Sequence, residues 1–250
     1  MGIFMDQEVL KHVTCEKHHD IRQAVIRHRE YTFEPDTNYI LTGMRGSGKT
    51  TLLYEIAQKL VENGTDWNQI IYVNFEDERL IGFTSNDFSD LLEISSGLSD
   101  RTPYYFLDEV QNIDGWQHFA RRMSDEREHV YIAGSNVMLL SKEMKDQLSG
   151  NYLTKVIMPY NFREFLTARD IPHDDEALHT SKGIGRLKQA SIDLMHDGGL
   201  PESLNTSDQR MCVEDMYQRI LICDIALWNN IRNPIGLRIL MKNIAETVGR

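Results

Sequence analysis

Hydrophobic positions along the 250-residue chain fall into two alternating patterns. Short β-branched and aromatic runs occur at Asn38–Thr42 (NYILT), Ile70–Phe75 (IIYVNF), Tyr104–Asp108 (YYFLD), His129–Ala133 (HVYIA) and Leu153–Met158 (LTKVIM). Apolar on consecutive positions, such runs predict strands covered on both faces. Between them, apolar residues recur at helical spacing in Thr50–Asn63, Asp87–Ser95, Gly115–Arg127 and Leu139–Leu148. Strands alternating with helices predict a parallel α/β sheet. Ahead of the first strand, Ile21, Ala24, Val25 and His28 share a helical face, so Asp20–Tyr31 is expected to be a packed helix.

The pattern changes after Pro159. Helices are expected at Asn161–Arg169, Ile184–His196, Asp208–Asn229 and Ile235–Val248, with no further strand. Asp170–Gly183 carries Pro172, three successive acids and Gly183, and reads as a linker. Two domains are therefore expected, residues 1–170 as an α/β core with its N-terminal helix and residues 171–250 as an α-helical region. No internal repeat of the solenoid kind is present in the sequence.

Composition narrows the class. Hydrophobic residues at 41% and charged residues at 26% are a globular balance, which excludes wholesale disorder. A formal net charge of −11 has the wrong sign for a nonspecific nucleic-acid coat. Three scattered cysteines (Cys15, Cys212 and Cys223) support neither a disulfide framework nor a structural zinc site. His12, His18 and His19 near Cys15 read as the polar face of a helix rather than a metal cluster. No apolar run approaches the ~20 residues of a membrane span, and no signal-peptide core opens the chain. A cytoplasmic protein without a membrane partner is expected.

Directly after the first strand stands GMRGSGKTT, residues 43–51, followed by the helical TLLYEIAQKL. This is G-x-x-x-x-G-K-[ST] between a strand and a helix, a phosphate-binding loop. Glycines let successive backbone N–H groups turn inward toward phosphate oxygens, and the following helix aims its positive end at the same anion. Gly43, Met44, Arg45, Gly46, Ser47, Gly48, Lys49, Thr50 and Thr51 are thus the expected nucleotide-binding residues. Lys49 would bridge the β- and γ-phosphates, and Thr50 would ligate Mg²⁺.

Hydrolysis requires more. Tyr104–Leu107 ends in Asp108-Glu109, where the aspartate can hold the Mg²⁺ shell and the glutamate can orient a water. Thr50 and Asp108 are the expected metal residues; Glu109 and Lys49 are expected catalytic residues. The next strand ends in Gly134-Ser135-Asn136, and Ser135 and Asn136 are candidates to reach the γ-phosphate or the attacking water, with an ordinary turn as the competing reading. Asn74 and the acids Glu76, Asp77 and Glu78 close the second strand as a further polar cluster, more in keeping with a solvated strand end. Arg45, Arg121, Arg122 and Arg163 are candidate arginine fingers, against surface ion pairing.

GMRGSGKTTLL, IIYVNFEDERL, YYFLDEVQNIDGWQHFARRM, YIAGSNVMLLSKEMKDQLSG, MPYNFREFL and GGLPE together resemble the prokaryotic AAA-like P-loop ATPases that join an AAA_14-type core to a C-terminal DUF4143 domain. The resemblance runs from about Tyr39 through Glu202. It implies a three-layer P-loop NTPase fold of the ASCE, AAA-like kind, with a parallel five-stranded sheet and the Ser135-Asn136 strand between those carrying the phosphate loop and Asp108. ATP and Mg²⁺ are the implied cofactors. Two features depart from the family pattern. Gly150-Asn151 stands where the family has Gly-Arg, which puts turnover or assembly in question. The chain also reads as truncated where the C-terminal part begins. The first expectation is Mg²⁺-dependent ATP hydrolysis that moves the C-terminal region, a protein partner or further copies of the chain. A nucleotide-gated switch with little hydrolysis is the alternative, a small-molecule kinase is a third reading, and nucleic acid stays an open partner.

Overall fold

A computed structural model describes residues 6–34, 36–134, 148, 150–204, 206, 208–227 and 229–247. By backbone contacts the chain forms two compact units, Met1–Gly43 with Gly48–Met158, and Met44–Ser47 with Pro159–Arg250.

The first unit is built on five parallel strands, β1 (Asn38–Thr42), β2 (Ile70–Asn74), β3 (Tyr104–Asp108), β4 (His129–Gly134) and β5 (Tyr152–Val156). Their order is β2-β3-β4-β1-β5, so β4 lies between β1 and β3, as the resemblance implied. Helix α1 covers Gln7–Gln23, α2 Lys49–Glu62, α3 Phe88–Leu98 and α4 Trp116–Asp125.

Period-two alternation divides the strand residues between two cores. Tyr39, Leu41, Ile70, Tyr72, Phe106, Tyr131 and Ala133 join Leu52, Leu53, Ile56 and Ala57 of α2. Ile40, Ile71, Val73, Tyr105, Leu107, Val130 and Ile132 join apolar residues of α3 and α4. The outcome is three layers. On the α2 side one row of the register is aromatic across four strands, since Tyr72 pairs with Phe106, Phe106 with Tyr131, and Tyr131 with Tyr39, before it ends on Leu153 of β5. Stacking of these rings at 6.2, 4.9 and 6.0 Å adds cross-strand attraction that reinforces this register.

The N-terminal helix lies earlier than expected, at Gln7–Gln23 rather than Asp20–Tyr31. Its buried stripe is Leu10, Val13, Thr14, His18 and Ile21, and the Asp6 carboxylate caps its first turn. Gln58 of α2 donates to the carbonyls of Ile21 and Ala24, satisfying acceptors that would otherwise seek a further turn. Val25, counted on the buried face, is 91% exposed. His18 is buried rather than part of a polar face; its Nε2 lies 2.7 Å from the carbonyl of Ile70 on the edge strand β2. Burial lowers its pKa. Among the described residues no three or more His, Cys, Asp and Glu side chains gather as a metal-binding group.

β5 also departs from the both-faces-covered reading. As an edge strand it leaves Leu153 and Val156 about half exposed. The expected helix Leu139–Leu148 lies outside the described residues apart from Leu148, which is buried.

The second unit contains α5 (Phe162–Ala168), α6 (Asp175–His179), α7 (Ser181–Asp197), α8 (Pro201–Leu204), α9 (Gln209–Arg219), a π-helical segment Ile220–Leu227 and α10 (Pro234–Thr247). Among the described residues no strand follows β5. Phe165, Leu166 and Ala190 form its small core with Tyr160, Ile171, Leu187, Leu194 and Leu204. The Asn161 side chain accepts from Glu164 N–H, and Glu164 accepts in return from Asn161 N–H, closing a capping box on α5. The Asp170–Gly183 segment is more ordered than a linker, since it holds α6 and the start of α7. Gly183 serves close packing there: a Cβ would collide with the Ala177 carbonyl.

Candidate functional site

The phosphate loop is built by a strand ending and a helix beginning within six residues. Thr42 closes β1, and α2 starts at Lys49. Gly46 (φ +75°) and Gly48 (φ +91°) occupy the left-handed region, which side-chain-bearing residues enter only under strain. Ser47 N–H bonds to the Met44 carbonyl at 3.2 Å, closing a turn inside the loop. Gly48 caps α2 without a side chain, so the first-turn N–H groups have no side-chain acceptor from the cap residue. Lys49 is 4% exposed, and its Nζ donates to the Gly43 carbonyl at 3.1 Å.

Within the second unit, the middle of this loop has its own neighbours. Arg45 Nη2 lies 3.7 Å from Asp224 Oδ1. A Cβ on Gly46 would collide with the Met216 side chain and lie 3.1 Å from Glu202 Oε2.

Asp108 ends β3 in full burial. Its Oδ2 accepts from Thr50 Oγ1 at 2.7 Å and from the Tyr72 hydroxyl at 2.8 Å, while Oδ1 accepts from Glu109 N–H at 3.1 Å. Burial, followed by the neighbouring Glu109 charge, pushes the Asp108 carboxyl up to about 6, against the pull of the Thr50 and Tyr72 donors and Lys49. Tyr72 is pushed well above the usual phenol range by burial and by the Asp108 charge. Glu109 is nearly buried and has φ +52°, ψ +40°, a left-handed conformation unfavourable to a side-chain-bearing residue. Its Oε2 accepts from Gln111 Nε2 at 2.5 Å.

The residues predicted from sequence thus separate. Thr50 and Asp108 meet, Lys49 lies beside Thr50 at the start of α2, and Glu109 follows Asp108 in a constrained turn. Ser135 and Asn136 lie outside the described residues. Asn74, in register with Asp108, spends its side-chain oxygen on Glu76 N–H at 2.8 Å, and Asp77 pairs with Arg79. That cluster is a local strand-end turn. Arg122 lies over the Phe119 ring at 5.5 Å. Tyr72 and Gln111 were not foreseen. Once β2 and β3 are paired in register, period two puts Tyr72 on the face of Phe106 and Asp108, and that pairing was the missing signal.

The oxygen donors suit a hard divalent cation: a hydroxyl and a fully buried carboxylate in contact, next to a buried lysine. Thr50 and Asp108 would hold Mg²⁺, and the glycine turns with the start of α2 would hold phosphate.

A family model described as an AAA domain (AAA_14) matches residues 36–166, more than half of the chain. "Uncharacterized protein MJ1544" of Methanocaldococcus jannaschii is 29% identical over 226 residues, covering 87% of this chain and 48% of that protein. An uncharacterized protein of Haemophilus influenzae is 29% identical over 222 residues, covering 86% and 53%. The chain spans about half the length of these curated relatives. Among solved structures, AMPPCP-bound DnaA from Aquifex aeolicus aligns at a TM-score of 0.38 and 15% identity, over 88% of this chain and 73% of that one.

Proposed function

The chain belongs to the AAA domain family, and on that footing we propose that it binds ATP with Mg²⁺ and hydrolyses it. The observation that carries the reading is the 2.7 Å bond between Thr50 Oγ1 and Asp108 Oδ2, which joins the phosphate loop to the end of β3. In this reading, Met44–Thr51 offer backbone N–H groups to the phosphates, and Lys49 exchanges its bond to the Gly43 carbonyl for phosphate oxygens. Thr50 and Asp108 hold Mg²⁺, which when bound neutralises charge on the β- and γ-phosphates. Glu109 orients the attacking water and draws its proton, with Ser135 or Asn136 reaching the γ-phosphate. Turnover moves the helical C-terminal region, a partner protein or another copy of the chain.

A second reading, a nucleotide-gated switch with little hydrolysis, is favoured by the bond that ties Glu109 to Gln111. Phosphate release with Mg·ATP and no added acceptor separates the two. Hydrolysis predicts steady release, lost by about 10²–10⁴-fold in Glu109→Gln while nucleotide binding persists. Tight binding without release, alone and with partners, would overturn the hydrolase in favour of the switch.

A further inference from the structure

Asp108 has a second side-chain donor, from a strand to which the phosphate-loop chemistry assigns no role. Tyr72 stands in the middle of β2, opposite Phe106 in the register. Its ring is fully buried, meets Tyr54 edge-on at 5.2 Å and stacks on Phe106 at 6.2 Å. A ring held on these sides cannot swing its hydroxyl to solvent. Packing alone asks for phenylalanine here, because the surrounding core is Ile70, Phe106 and apolar residues of α2. The 2.8 Å bond to Asp108 Oδ2 gives a phenol a role in this position, with the Tyr54 side chain as a second polar neighbour.

We propose that Tyr72 is the positioning residue of the cation site: its hydroxyl fixes the Asp108 carboxylate in the orientation that also meets Thr50, so the pair stands ready for Mg²⁺. Two donors share Oδ2, and the Glu109 N–H takes Oδ1. These three bonds hold the carboxylate in one orientation. Thr50 sits at the start of α2, and in the proposed reading its hydroxyl oxygen belongs to the cation. Tyr72 is the donor that remains anchored from the neighbouring strand throughout. Outer partners of this kind set metal affinity by orienting the ligand they bond. The inference rests on the Mg·ATP reading above.

The test is Tyr72→Phe in the full chain, with Tyr105→Phe as control. The Tyr105 hydroxyl lies 2.7 Å from Ser95 Oγ on the other face of the sheet. The readout is binding of a fluorescent ATP analogue as Mg²⁺ is raised from zero. Tyr72→Phe should raise the half-saturating Mg²⁺ concentration about tenfold, the low end for such partners. Analogue affinity in excess chelator should be unchanged, and Tyr105→Phe should match the wild type. In an Asp108→Asn background Tyr72→Phe should add nothing. A half-saturation within twofold of wild type, or an additive tenfold effect in that background, overturns the proposal while leaving the ATPase reading intact. A wild type whose analogue binding ignores Mg²⁺ overturns both. Should the phenylalanine variant not fold, 3-fluorotyrosine at position 72 keeps the hydroxyl. Its ¹⁹F resonance should move on adding Mg²⁺ with nucleotide, and an unmoved resonance refutes the coupling.

Discussion

The buried Asp108 carboxylate implies a stability penalty that a single substitution should relieve. Its pKa stands at about 6 against an ordinary 3.8, with burial as the first cause and the Glu109 charge as the second. The folded state therefore holds the proton more tightly than the unfolded state. This stabilisation is complete below about pH 3.8 and is lost as pH rises through 6. A difference of about 2 pKa units corresponds to roughly 3 kcal/mol at full ionisation, of which about 1 kcal/mol falls between pH 5 and pH 7. Asp108→Asn keeps the size and removes the charge, so it does not pay this cost. In ligand-free protein, the melting temperature of Asp108→Asn relative to wild type should rise by about 2–4 °C on going from pH 5 to pH 7. Differential scanning fluorimetry of both proteins across that range reads the difference, in which the titrations of groups remote from Asp108 cancel. A difference that stays flat, or falls as pH rises, would refute the account of Asp108 as a strained buried acid.

Lys49→Ala should weaken ATP binding about 10–100-fold by calorimetric titration, the loss of one charge-assisted phosphate contact; unchanged affinity would remove the phosphate-loop assignment. Phe88 is 1% exposed, stacks on Phe119 at 4.1 Å and meets Phe83 edge-on at 5.2 Å. Phe88→Ala should cost about 3–5 kcal/mol in urea unfolding, and a loss under 1 kcal/mol would mean that this aromatic cluster is not a packed core.

Much of the fold was legible because buried parallel strands announce themselves as unbroken apolar runs. NYILT and YYFLD match β1 and β3 residue for residue, and the other strands shift by one or two positions. What failed depended on partners distant in sequence. Nothing local in LTKVIM says that it will lie at a sheet edge, half exposed. Ala24, Val25 and His28 have helical spacing, but Gln58 of another helix ends α1 before they are reached. Gly183 looked like flexibility and proved to be tight packing against Ala177. The same division holds at the site. Gly43–Thr51 and Asp108-Glu109 stand out in the sequence because a glycine-rich loop and a strand-end acid pair are contiguous patterns. Tyr72 and Gln111 do not, because a hydroxyl in an apolar strand and an amide in a turn acquire meaning only when register and backbone conformation fix what they face.

The asparagine in Gly150-Asn151 can be weighed by the same strand arithmetic. Asn38 pairs with Tyr152 and Thr42 with Val156, so the two strands run in step and Asn151 precedes the start of β5. Gly43 follows the opposite end of β1. With a rise of about 3.3 Å per residue, Asn151 stands roughly 20 Å along the strand direction from the start of the phosphate loop. An arginine side chain spans much less than that. A guanidinium at position 151 would therefore fall short of its own chain's phosphate loop, and the asparagine removes no group from the neighbourhood of Lys49, Thr50, Asp108 and Glu109. The substitution instead alters a polar cavity of about 670 Å³ at the far end of the sheet, lined also by Asp36, Arg127, Glu128 and His129. Whatever charge an arginine would contribute there acts on a surface remote from the chain's own phosphate loop.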